Sequence, residues 1–183
     1  MTIKSGTYNL GPSDGKLQVR TGRQGMGSKI GHDLTLEASN WKATVTVGPD
    51  PAQSEVTATV EPRSLEVLAA TGGAKPVSDK DKKDIKKNIA GLLGNNSITF
   101  KSMSVKARDE NNVSVTGELS IAGQSRQVTL DLTVEPDGGA AHLTGKVPIV
   151  QSSFGVKPFS AMMGALKVKD EVEVDLDVKL PSE

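Results

Sequence analysis

Apolar residues recur at every second position through most of this chain. Residues 16–21 place Leu17, Val19 and Thr21 on one face, and 32–36 bring Leu34 and Leu36 together. Residues 41–47, WKATVTV, put Trp41, Ala43, Val45 and Val47 on one side, and 55–60 align Val56, Ala58 and Val60. Further on, 113–121, 128–134 and, more weakly, 143–149 alternate in the same way. The clearest case is 172–180, where Val172, Val174, Leu176, Val178 and Leu180 oppose Glu171, Glu173, Asp175, Asp177 and Lys179. Such alternation predicts strands with one buried and one wetted face. Residues 98–107 change phase: Ile98 and Phe100 share one face, Met103, Val105 and Ala107 the other. A β-bulge near Ser102 reconciles the halves.

Turn-forming clusters at 48–51, 109–112, 123–124 and 137–139 separate these runs, and strands recur every ~8–14 residues, as antiparallel neighbours do. One stretch has a helical period instead. In 78–93, Ser78 and Asp81 form an acidic capping box, Ile85, Ile89, Leu92 and Leu93 make one stripe, and Gly94 is a natural stop. This helix lies within a long connection, 63–96. A second irregular stretch, 154–168, is apolar and broken by glycine, and predicts a short helical turn near 158–166. The expected fold is all-β: an antiparallel barrel of about eight strands in a single domain over 1–183, because closure removes the edges an open sheet must protect.

Composition narrows the chemistry. The 183 residues carry 22 Lys+Arg and 22 Asp+Glu, so net charge gives no bulk reason to bind nucleic acid. Aromatics total 3%, too few for base-stacking platforms. There is no cysteine, which removes thiol nucleophiles, disulfides and Cys-based metal sites. His32 and His142 are far apart, so no metal and no cofactor are expected. No apolar leader or membrane-length stretch is present, and the expected location is cytoplasmic.

Several motifs admit sharper readings. Gly25-Met26-Gly27 with Gly31 follows a strand but precedes HDLTLEA, which alternates, so a dinucleotide loop lacks the helix it needs and a turn is expected. His32 and Asp33 are neighbours on a strand and point to opposite faces, so they do not form the base pair of a triad. His32 is left as either a hydrogen-bonded structural residue or a polar group in the barrel lining. The acidic row from Glu171 to Asp177 reads as a solvated exterior. Lys80, Lys82, Lys83, Lys86 and Lys87 form a solvated helix face, for which a transient contact with anionic lipid is the sharper alternative.

Five segments in order carry a family resemblance: GHDLTLEASNW at 31–41, SLEVLAATGGAKPVSDKDKKDI at 64–85, ITFKSMSV at 98–105, VTGELSIAGQSRQVTL at 115–130 and FGVKPFSAMMGALKVKDEVEVDL at 154–176. The chain resembles the YceI-like family of lipocalin-like barrels that bind polyisoprenoid lipids. Many of these relatives are periplasmic. The resemblance implies an apolar pore holding an extended chain, its polar head near the mouth. Carried across, the pore is lined by Leu34, Leu36, Val45, Val47, Val56, Val60, Ile98, Phe100, Phe154, Phe159, Met162 and Met163, with His32 as the polar candidate. The implied role is non-enzymatic: binding, storage or transport of a long-chain isoprenoid or similar amphiphile, without nucleic acid, with a membrane-surface contact and a homodimer left open. Two alternatives stand beside it. One is a filled-barrel stress or structural protein without ligand; the other is an enzyme acting on an amphiphile with His32 as base.

Overall fold

The computed structural model describes residues 3–181. Its elements are β1 (Gly6–Leu10), β2 (Gly15–Arg20), β3 (Arg23–Gln24), β4 (His32–Ala38), β5 (Trp41–Val47), β6 (Glu55–Val60), β7 (Leu65–Gly72), α1 (Asp79–Leu93), β8 (Ile98–Ala107), β9 (Asn112–Ile121), β10 (Gln124–Asp137), β11 (Ala140–Val150), β12 (Ser160–Ala161), β13 (Leu166–Val168) and β14 (Glu171–Leu180). Eleven of these strands form one antiparallel sheet in the order β1-β5-β6-β8-β9-β10-β11-β14-β2-β4-β7.

The order repeats itself. β1 and β2 are two halves of one bent strand, as are β5 and β4, and β6 and β7. β1 pairs with β5 and β2 with β4 in the same antiparallel sense. β5 pairs with β6 and β4 with β7 likewise. That last ladder continues across the corner, where Ser39 N donates to Ser64 O and Glu61 N donates to Asn40 O. Counted as whole strands there are eight, and β2 against β14 (Gly15 opposite Val178, Arg20 opposite Glu173) closes the circuit. The result is an up-and-down barrel in which each whole strand has two neighbours, although its halves β1 and β7, at the ends of the order, are each paired on one side.

An up-and-down order sorts the connections by end. Short links at 48–54, 108–111 and 138–139 lie at one end. The longer links at 21–31, 73–97 and 151–170, with the β9–β10 hairpin tip, lie at the other. The short-link end is packed: Tyr8, Leu10, Trp41, Val134, Ala141 and Leu180 form one buried cluster, and Phe100, Val105 and Val115 another beside it. These make a floor. Gly15 belongs to the barrel seam. A Cβ there would stand 2.3 Å from the Asp177 carbonyl oxygen, so only glycine permits β2 to meet β14 so closely.

The expected bulge is present. The β8–β9 register shifts between Ser102 and Ser104, and Ser102 Oγ accepts a hydrogen bond from Val56 N at 2.8 Å. It resolves the phase change differently from a simple swap of faces. Met103 is the extra residue and is exposed, while Val105 returns to the interior with Phe100. The helix forms as its period predicts. Ser78 and Asp81 exchange cap hydrogen bonds, Ser78 N donating to Asp81 Oδ2 at 2.8 Å and Asp81 N donating to Ser78 Oγ at 3.2 Å. The stretch near 158–166 contains the expected turn, a single 3₁₀ turn at Met162–Gly164, but it is flanked by β12 and β13.

Candidate functional site: an apolar cavity beneath a capped mouth

The inward faces of the eight strands do not meet at the barrel axis above the floor. They enclose a cavity of about 530 Å³ whose lining is almost wholly apolar. Val172, Val174, Leu176 and Val178 of β14 line it, while the acidic row between them faces outward. On that outer face Glu173 meets Lys146 and Asp175 meets Arg20 in ion pairs, and His142 Nε2 lies 2.6 Å from Asp177 Oδ1.

Most residues expected in the pore line this cavity: Leu34, Leu36, Val45, Val56, Val60, Ile98, Phe100, Phe154, Phe159 and His32. Val45, Val56 and Val60 point inward yet are only half-buried, because they face open volume. Phe100 has room for its ring because Gly117 lies opposite; a Cβ on Gly117 would come within 2.6 Å of the ring. Three expected residues lie elsewhere. Val47, at the far end of β5, packs against the floor cluster. Met162 and Met163 stand exposed at the tip between β12 and β13 with φ of 52° and 54°. That left-handed backbone turns both side chains away from the barrel.

Other residues complete the lining. β9, β10 and β11 supply Leu119, Leu130 and Val147, among others. Their alternation was visible, but nothing in one strand tells which face fronts a void and which a packed core. Helix α1 also contributes: Ile85, Ile89, Leu92 and Leu93 lie over the mouth, and Lys86 pairs with Glu66 of β7. The other half of the cap is a small antiparallel sheet of β12, β13 and β3, which ties the 21–31 link to the 151–170 link. The glycines at 25, 27 and 31 serve this junction. Gly27 N donates to Ala165 O at 2.8 Å, and Cβ atoms at Gly25 and Gly31 would stand 2.4 Å from Ala165 O and the Leu166 side chain.

Polar groups in the lining cluster at the mouth: Arg23, His32, Asn88, Gln151 and Lys167. His32 Nε2 lies 2.7 Å from Lys75 O, which ties β4 to the segment leading into α1. Asp33, on the opposite side of the strand, accepts from Arg23 N at 2.9 Å. The two neighbours thus serve different partners, as their strand geometry requires. At the deep end Trp41 is buried against the cavity, and its indole N–H has no partner.

A closed antiparallel barrel with packed floor, apolar interior and polar mouth is a lipocalin-like architecture. The family model for the YceI-like domain matches residues 8–180, and the chain belongs to that family. Among solved structures it is similar to BcnA of Burkholderia cenocepacia, at 20% identity and a TM-score of 0.68, covering 91% of this chain and 96% of that one. It is also similar to the YCEI protein of Campylobacter jejuni, at 14% identity and a TM-score of 0.56, covering 83% and 84%. At these identities both likenesses speak for the fold alone. No curated protein matches the chain.

Proposed function

We propose that the protein is a non-enzymatic carrier that holds a long-chain isoprenoid or similar amphiphile, tail inside the barrel and head at the mouth. One observation carries this reading: an apolar cavity of about 530 Å³ enclosed by a closed barrel. That volume falls within the range of small-molecule sites, roughly 300–1,000 Å³. A cavity lined by aliphatic side chains is a poor host for water, which needs polar partners, and a good host for a hydrocarbon. Each methylene moved from water into it contributes about 0.8 kcal/mol. The polar groups at the mouth suit a head group that stays near solvent.

The test is native mass spectrometry of the purified protein, followed by delipidation and reloading with a polyprenol. A bound long-chain amphiphile, removable and replaceable at one per barrel, is the expected result. A protein that carries nothing and takes up nothing would refute the reading in favour of a barrel without ligand.

A further inference from the structure

The chain is neutral as a whole, but its charge is divided along the barrel axis. The mouth-side connections at 21–31, 73–97, 122–123 and 151–170 hold eleven of the 22 Lys+Arg and only four of the 22 Asp+Glu. Those connections therefore sum to +7, and two of their cations, Arg23 and Lys86, are paired with Asp33 and Glu66 on the adjoining strands. Lys29, Lys75, Lys83, Lys87, Lys157 and Lys167 are all exposed there. Two of the acids are occupied locally: Asp81 in the helix cap, and Asp170 in hydrogen bonds from Ser152.

The same end carries the exposed apolar side chains. Eight large hydrophobic residues are exposed among those described, and five of them are Met26, Ile30, Phe159, Met162 and Met163. Met26 is 95% exposed and Met163 fully so. The five come from two distant segments, which the β3–β13 pairing and the Gly27–Ala165 hydrogen bond join into one rim. Ile30 and Phe159 also line the cavity, so the apolar surface runs from the interior out to the rim. Met162 and Met163 both hold left-handed backbone, an unfavourable conformation for side chains of this size, and it turns them outward.

We propose that this mouth-side rim is a docking surface for an anionic phospholipid bilayer, in which Met26, Met162 and Met163 enter the interface while the surrounding lysines meet lipid phosphates. Apolar residues flanked by lysines are what an interfacial contact needs: area to bury and charge to attract. A nucleic acid would use the lysines but leave the methionines wet. Docking is interfacial, since the outer face of the barrel is polar and charged, with Glu173, Asp175 and Asp177 of β14 meeting Lys146, Arg20 and His142. It stands independently of the carrier reading, although it would place the cavity mouth against the membrane.

The experiment is flotation of the delipidated full chain with vesicles of phosphatidylcholine, with and without phosphatidylglycerol. The expected result is binding to the anionic vesicles only, weakened by added salt. The double variant Met162→Ser/Met163→Ser and the double variant Lys83→Glu/Lys87→Glu should each weaken binding about tenfold or more. The serine variant should still take up amphiphile from detergent solution, because neither methionine lines the cavity; that arm separates failed docking from failed carriage. Binding that ignores lipid charge, no binding at all, or binding that survives both variants would overturn the proposal. So would a rim that instead joins two copies, seen as a dimer in wild type and a monomer after Met162→Ser/Met163→Ser.

Discussion

Ala58 offers a direct test of whether the barrel interior is open. It sits on β6 between Ala43 of β5 and Phe100 of β8, with its side chain on the cavity wall. Replacing it with tryptophan sends an indole into the void. Aromatic side chains bury roughly 150–250 Å² each. If half of about 200 Å² is newly buried at ~25 cal/mol per Å², the gain is about 2.5 kcal/mol. Fixing the side chain costs on the order of 1 kcal/mol. The net is a stabilisation of about 1.5 kcal/mol, within the ~0.5–2 kcal/mol typical of cavity-filling changes. For a domain of this size each kcal/mol moves Tm by roughly 2–4 °C.

Ala58→Trp should therefore raise the Tm of the delipidated protein by about 3–6 °C while abolishing amphiphile uptake. Delipidation matters because a ligand bound only by wild type would stabilise it and mask the comparison. Scanning calorimetry reads the first effect and native mass spectrometry the second. In a packed interior the same substitution would cost ~1–3 kcal/mol through overpacking, and Tm would fall. A fall of several degrees would refute the argument from the cavity.

Gly15→Ala should cost more than about 2 kcal/mol, since its Cβ would collide with backbone of β14 at the closing seam; chemical denaturation checks this. Trp41 is the sole tryptophan and stands at the deep end of the cavity, so reloading with an amphiphile should shift its fluorescence, and loss of response in Ala58→Trp after subtracting the new indole would agree with exclusion. Ser78→Ala should cost about 1 kcal/mol by removing the helix cap, with faster amide exchange at the start of α1. Four carboxyls titrate below the ordinary aspartate range: Asp81 through its hydrogen bond from Ser78, Asp109 through Asn111, Asp131 through Ser114, and Asp137 through Lys179. Their contribution is complete above the unfolded value near 4 and is lost as pH falls through the lowered folded values. Lys179 is raised by its hydrogen bond with Asp137, so its contribution holds below its unfolded value and is lost at alkaline pH. A pH series of melts should thus decline at both extremes.

The strand faces were legible because period two is a local signal, and in β14 every expected inward residue is inward. The helix was legible for the same reason, with both its cap and its stripe written locally. β7 carries no clear period of its own. It pairs with β4 across a register shift between Thr35 and Leu36, and its exposed Leu68 breaks the alternation beside Val67. The sheet at the mouth was hidden for another reason. Strands of two and three residues have no period, and they exist only because segments some 140 residues apart in sequence pair as Lys167 with Gln24. The outward turn of Met162 and Met163 was equally hidden, since it depends on backbone angles that the surrounding pattern does not encode.

On the carrier reading, the two ends of the barrel divide the work of specificity. The floor is sealed by packed side chains and short links, so whatever enters must pass the mouth and reach the floor with its apolar end. The mouth holds the charged groups of the lining, Arg23 and Lys167, and neither could follow a tail inward without losing solvation. Arg23 is further fixed by Asp33 and by its hydrogen bond to the Gly31 carbonyl, so the polar rim is held in place by the same link that brings Met26 to the surface. A molecule with one long apolar part and one polar end fits this gradient in a single orientation. A uniformly apolar molecule would leave the mouth groups unmatched, and a uniformly polar one would lose its solvation against the aliphatic lining. On that reading, the length of the apolar part is matched to the distance from floor to mouth. The residues that fix that distance lie on both sides of it: Trp41 and Phe100 below, Phe159 and the α1 stripe above.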